Sequence, residues 1–164
     1  MNAEATNHRQ SIATDWVCVM AVGNELRGDD GAGMAVGRAL REMNLPNLEV
    51  FLCGPTPENY VGPVIKSRPG LVLIIDACDF GGTPGEWKVC PMSGPPDGMP
   101  MTHTFSLRLV ADRITESAEA RVWLVAIQPE NLAFGGAPSI AVREAVETLA
   151  RRIRDGRLTE TSSP

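Results

Sequence analysis

Trp16-Val17-Cys18-Val19-Met20-Ala21-Val22-Gly23-Asn24-Glu25-Leu26-Arg27-Gly28-Asp29-Asp30-Gly31-Ala32-Gly33, continuing to Leu40, reads as strand, loop and helix in direct succession. The apolar opening carries β-branched residues and no charge, which suits a strand buried on both faces, as in the parallel sheets of α/β proteins. Gly23, Gly28, Gly31 and Gly33 let the backbone turn sharply and leave room for a ligand or a partner chain. Asp29 and Asp30 sit in that turn, directly after the carboxyl end of a strand, where open α/β sheets bind their ligands.

Outward from this stretch the same alternation continues. Ala32, Val36, Ala39, Leu40 and Met43 recur at helical spacing, and the helix is expected to stop near Asn44-Leu45-Pro46. Leu48 to Leu52 is a second strand. Thr56-Pro57-Glu58 is a helix start, with Thr as N-cap, Pro in the first turn and an acid behind it. Gly62 and Pro63 predict that this helix is short or kinked. Leu71 to Asp76 is the clearest buried strand, and it ends in an acid. Glu86 to Val89 is a short strand, and 90–101 a Pro-, Gly- and Met-containing loop expected to help dock a partner. Thr102 or Thr104 caps a helix in which Leu107, Val110, Ala111 and Ile114 share a face. Arg121 to Ile127 is the last strand, and Val142, Val146, Leu149 and Ile153 stripe the closing helix, where Glu147 and Arg151 form an i, i+4 pair. Residues 1–14 and 155–164 are expected to be flexible tails around a single domain at 15–154.

Length and composition narrow the function classes. The chain has 164 residues, 43% hydrophobic and 21% charged, the balance of one globular domain. A net charge of −5 argues against a nucleic-acid partner held by phosphate contacts. Cys18, Cys53, Cys78 and Cys90 are widely spaced, without a C-x-x-C, and read as reduced thiols of a cytoplasmic protein. The N-terminal stretch lacks the apolar core of a secretory signal, and no apolar run approaches a bilayer-spanning length, so no membrane insertion is expected.

The candidate chemistry lies in Asp30, Asp76 and His103. If their strands are parallel, Asp30 and Asp76 open onto the same sheet edge. His103 is the one histidine besides His8, to which no role is assigned, and a place just before a helix start favours the neutral, metal-ligating imidazole. Taken singly, each has a plainer role: either of Asp29 and Asp30 as a helix N-cap, Asp76 as a loop cap, His103 as a structural residue. Of the two adjacent aspartates, Asp29 is the better candidate for capping. Together, two carboxylates and an imidazole make a ligand set for a divalent metal. The glycine spacing fits neither the dinucleotide-binding nor the P-loop pattern, and no G-x-S-x-G is present.

Gly23-Asn24-x-Leu26-x-x-Asp29-Asp30-Gly31-x-Gly33, Ile75-Asp76-Ala77-Cys78-Asp79 followed by Gly85-Glu86, Thr102-His103-Thr104 and Ala126-Ile127-Gln128-Pro129-Glu130 resemble the hydrogenase maturation endopeptidases, from about Val17 to Ile153. Thr102-His103 and the end of the last strand look most like the type serving the formate hydrogenlyase hydrogenase (hydrogenase 3). The resemblance implies a single α/β domain, with a twisted, five-stranded, mostly parallel sheet and helices on both faces. It implies an endopeptidase that removes a C-terminal extension from the large-subunit precursor of a nickel–iron hydrogenase after nickel insertion. It implies nickel ligation by Asp30, Asp76 and His103, the nickel being carried by the precursor and not resident. Whether a carboxylate or the metal activates water stays open at this level. A non-enzymatic metal-binding chaperone of the same precursor is the rival reading, and a metal-dependent phosphoesterase is disfavoured by the scarcity of His and basic residues in the motif loops.

Overall fold

The structure, a computed structural model, describes residues 16–93 and 101–158, with the side chains of 101–104 excluded. His8 and most of the loop assigned to docking, residues 94–100, therefore lie outside the described residues. Five strands form one sheet: β1 (Val17–Val22), β2 (Leu48–Gly54), β3 (Leu71–Ala77), β4 (Trp87–Pro91) and β5 (Arg121–Ile127). Their order is β2-β1-β3-β5-β4; all pairs are parallel except β4 with β5. Helices α1 (Ala32–Glu42) and α4 (Ile140–Arg154) cover one face, and α2 (Val61–Lys66) and α3 (Met101–Ala118) the other. The expected α/β domain with a mostly parallel five-stranded sheet and helices on both faces is what forms.

Strand periodicity divides the core between the two faces. Val17 and Val19 of β1 pack under α1 and α4, whereas Cys18, Met20 and Val22 pack under α2 and α3. In β3, Leu71, Leu73 and Ile75 take the first face and Val72 and Ile74 the second, so alternation assigns Asp76 to the face that α2 and α3 cover. β1 is central, with β2 on one side and β3 on the other. The chain thus winds first one way and then the other, and the two crossovers diverge between β1 and β3, leaving a crevice at their carboxyl ends.

Several local expectations shift. Thr56 precedes a 3₁₀ turn (Pro57–Tyr60) and makes no side-chain capping bond, whereas Pro57 and the acid Glu58 stand in the first turn as expected. Pro63 falls in the first turn of α2, where its missing N–H has no intrahelical partner to lose. β4 begins at Trp87, one residue later than expected, and runs on to Pro91, with Met92 buried beyond it. Pro91 is tolerated there because β4 is an edge strand. α3 begins at Met101, so Thr104 and His103 lie within its first turn and not ahead of it. Apolar periodicity marks which face of a helix is buried, but it does not fix where the first turn begins. In α4, Ala145 is buried while Val146 is only partly so. Glu147 and Arg151 do approach, at 3.9 Å, but both side chains are exposed and the pair contributes little. None of the four cysteines forms a disulfide, and three of them are buried. No described helix is long and apolar enough to cross a membrane.

Candidate active site at the β1–β3 crevice

Asp29 and Asp30 share a single 3₁₀ turn (Gly28–Gly31) between β1 and α1. Asp29 is fully buried, whereas Asp30 stays partly exposed. The Asp29 carboxylate accepts backbone N–H bonds from Glu130 (2.8 Å) and Asn131 (3.0 Å) at Oδ2 and from Ser139 (2.7 Å) at Oδ1. Its own N–H donates to the Asn131 carbonyl at 2.8 Å. Burial by itself would raise the Asp29 pKa, but these donors outweigh it and hold the carboxyl below its ordinary value. The capping role expected of Asp29 is thus real but remote. It serves the loop before α4 and the N–H of Ser139, which is the N-cap of α4 and accepts from Val142.

Asp30 is left facing the crevice. A Cβ built on Gly23 would overlap the Asp30 carbonyl oxygen and stand 3.8 Å from Asp76 Oδ1, so the end of β1, the turn and the end of β3 meet at this glycine. Gly23 has φ 131°, a backbone conformation that side chains disfavour. Gly33, in the first turn of α1, lies against the carbonyl oxygens of Val22 and Ile75, the residues that end β1 and precede Asp76. Gly33→Ala should therefore push α1 off both strand ends, costing about 1–3 kcal/mol and most of the activity. Thermal unfolding beside a processing assay checks this; an unchanged melting temperature would show that the contact yields cheaply.

Asp76 is the most perturbed carboxyl in the crevice. Burial first, and then the neighbouring Asp30 charge, push its pKa up to about 7, against a smaller opposing effect of the Ala77 N–H. The sequence expectation that Asp30 and Asp76 meet at one edge is fulfilled, because β1 and β3 are adjacent and parallel. His103 lies in the first turn of α3, the helix on the face to which Asp76 belongs; its side chain is outside the description. Among the described residues no three His, Cys, Asp or Glu side chains are grouped to hold a metal. Two carboxylates so placed suit a hard to borderline cation whose other ligands come from elsewhere.

A cysteine nucleophile does not fit. The thiol of Cys78, two residues beyond Asp76, is pushed upward by burial, then by the Asp76 and Asp30 charges and by Cys90. Burial likewise raises Cys18 to about 11 and Cys53 to about 12. An activated thiolate needs an electropositive surrounding, and these have the reverse.

Gln128 belongs to the Ala126-to-Glu130 motif, but the sequence assigned it no role of its own. It is buried just past β5, and its Oε1 accepts from the N–H groups of Phe80 (2.9 Å) and Gly82 (3.0 Å) while Nε2 donates to Asp79 Oδ1 (3.0 Å). It thereby anchors the loop that leaves β3 immediately after Asp76. The available signal was a polar residue closing an uninterrupted apolar strand, which must find partners if it stays buried.

Fold and crevice together define an α/β protein with two neighbouring carboxylates, one pushed up to about 7, at a strand-end cleft. Residues 34–155 match the family model described as hydrogenase maturation protease, HycI; Asp76 and His103 lie within that match and Asp30 just before it. The chain is 31% identical over 140 residues to the hydrogenase 3 maturation protease of Escherichia coli (strain K12), covering 82% of this chain and 86% of that one. The crystal structure of the nickel–iron hydrogenase maturation protease HycI from Thermococcus kodakarensis KOD1 superposes with a TM-score of 0.80 at 32% identity, over 88% of this chain and 94% of that one. The solution structure of the endopeptidase HycI from Escherichia coli gives 0.77 at 28% identity, over 89% and 96%. The chain belongs to the hydrogenase maturation protease family. It is accordingly an endopeptidase and not a non-enzymatic chaperone.

Proposed function

We propose that this endopeptidase removes a C-terminal extension from the large-subunit precursor of a nickel–iron hydrogenase, and does so once nickel is in place. The observation that carries the reading is the Asp30–Asp76 pair, in which burial of Asp76 and then the Asp30 charge bring Asp76 to about 7. A carboxyl in that range is partly protonated at neutral pH, and an arriving cation displaces the proton and relieves the repulsion. Asp30, Asp76 and His103 are the proposed ligands of the nickel, which belongs to the precursor as part of the substrate. Held there, nickel would supply Lewis acidity beside the bond to be cut. Asp76, when not engaged by a cation, is matched to accept a proton from water.

Two carboxylates and one imidazole drawn from three separate segments bind free metal weakly compared with a resident site whose ligands are held in place by an outer shell. A precursor that brings both nickel and its remaining ligands completes the coordination only after insertion, so cleavage is gated by differential binding. The purified chain is expected to contain little metal, to cleave nickel-loaded precursor and to leave nickel-free precursor intact. Metal analysis of the isolated chain beside a cleavage assay on both forms tests this. Stoichiometric, tightly held metal, or equal cleavage of the nickel-free form, would defeat the gating. The free thiols suit a reducing compartment, and we place the work in the cytoplasm.

A further inference from the structure

We infer that the loop at 132–138, together with Leu26 and Ile140, is the seat on which an apolar stretch of the precursor polypeptide lies beside the cut bond. The loop reads Leu-Ala-Phe-Gly-Gly-Ala-Pro, seven residues with no charged or hydrogen-bonding side chain, and all but Gly136 are exposed. Phe134 is 80% exposed, Ile140 65%, Leu26 63% and Leu132 40%. Scattered exposed apolar residues are ordinary, but these four fall on two adjoining loops and the helix start that follows.

The loop is held outward by its backbone. The Gly135 N–H donates to the Leu26 carbonyl at 2.7 Å, the Ala133 N–H to Asn131 Oδ1 at 2.9 Å, and the Gly136 N–H to the Ala133 carbonyl at 3.1 Å. At either end it is tied to the buried Asp29 carboxylate through Asn131 and Ser139. The apolar side chains are thus presented on a pre-organised frame, which lowers the entropy cost of binding.

The occupant follows from continuity with the crevice. Asp30 is the next residue after the Asp29 that clamps this loop, and Leu26 lies in the connection between β1 and that clamp. The Asn131 and Ala137 carbonyl oxygens also lie against Gly28, in the same turn as Asp30, so on this inference a polypeptide whose bond is brought to Asp30 and Asp76 passes this rim. The loop at 132–138 carries no charge, which suits apolar side chains and not a basic partner drawn by charge. The inference rests on the proposed action at Asp30 and Asp76, but its test stands apart from it.

The test measures KM and kcat of Phe134→Ser, Leu26→Ser and the double variant on nickel-loaded precursor, and their Kd for nickel-free precursor. On the proposed reading the nickel-free form binds without being cut; were it cut, the KM of that cleavage would take the place of Kd, so either idea can fail alone. Loss of one well-buried aromatic contact predicts that KM and Kd rise about tenfold, more in the double variant, with kcat at saturation falling less than about twofold. Phe134→Leu should recover most of the loss. Circular dichroism melts should stay unchanged, because the replaced side chains are exposed. Unaltered KM and Kd would overturn the inference, as would a change confined to self-association seen by sedimentation, which would make the patch a contact between copies of this chain.

Discussion

Asp76→Asn is expected to abolish precursor processing and, at pH 8, to leave the folded chain more stable than it was. The reason lies in the cost of keeping this carboxylate charged in the crevice. Its pKa stands near 7 when folded, through burial and the Asp30 charge, against about 3.9 when unfolded. Between those values the folded state holds a proton that the unfolded state has released, so stability declines as pH rises from about 4 to about 7. The full loss is on the order of 2–4 kcal/mol once partial exposure is allowed for. Asparagine does not titrate and escapes it. Melting curves should therefore lie close together near pH 4 and separate by roughly 5 °C or more at pH 8, with the variant higher. Parallel curves across that range would show that Asp76 is not perturbed, and full processing by the variant would remove it from the site. Asp30→Asn should likewise stop processing while lowering the Asp76 pKa, since one of the two causes of its elevation is gone. His103→Ala is expected to stop processing too.

The second large effect is on stability. Asp29→Asn should destabilise the chain by about 3 kcal/mol, lowering the melting temperature by roughly 6–12 °C at neutral pH. The Asp29 carboxylate accepts three N–H groups with two oxygens while fully buried. An asparagine keeps one acceptor and turns its own N–H₂ towards donors, so at least one buried N–H loses its partner and the ionic character of all three bonds is lost. The folded pKa of Asp29 is depressed, so the natural chain keeps this stabilisation above its unfolded value and gives it up only as strong acid protonates the group. The variant should lack that acid-dependent step. Processing should fall less than in Asp76→Asn and persist below the variant's melting temperature, because the Asp29 carboxylate is taken up by the N–H groups of the loop before α4. A variant as stable as the parent would mean that the β5–α4 loop finds other anchors; one that is stable yet inactive would move Asp29 into the chemistry.

These two aspartates mark where reading the chain succeeds and where it stops. Uninterrupted apolar runs at 17–22, 71–75 and 122–127 and the helical stripes between them are local properties. Strand, helix and parallel crossover could therefore be read directly, and with them the conclusion that Asp30 and Asp76 end up on one edge. The motif resemblance already pointed to the protease family. The sequence favoured Asp29 over Asp30 for capping, but it did not reveal what Asp29 caps. Its donors lie far along the chain, with Ser139 110 positions beyond Asp29, and depend on the β2-β1-β3-β5-β4 order that brings the β5–α4 loop over the first turn. Gln128 was silent for the same reason, its partners at Asp79, Phe80 and Gly82 being supplied by β3 lying next to β5. By itself the sequence determined the elements and the edge at which the acids gather, because periodicity and turn chemistry act within a few residues. Only the tertiary structure decided that Asp29 is a buried clamp and that Asp76 is held near neutrality. Both are consequences of desolvation and of hydrogen bonds or charges brought together across the fold.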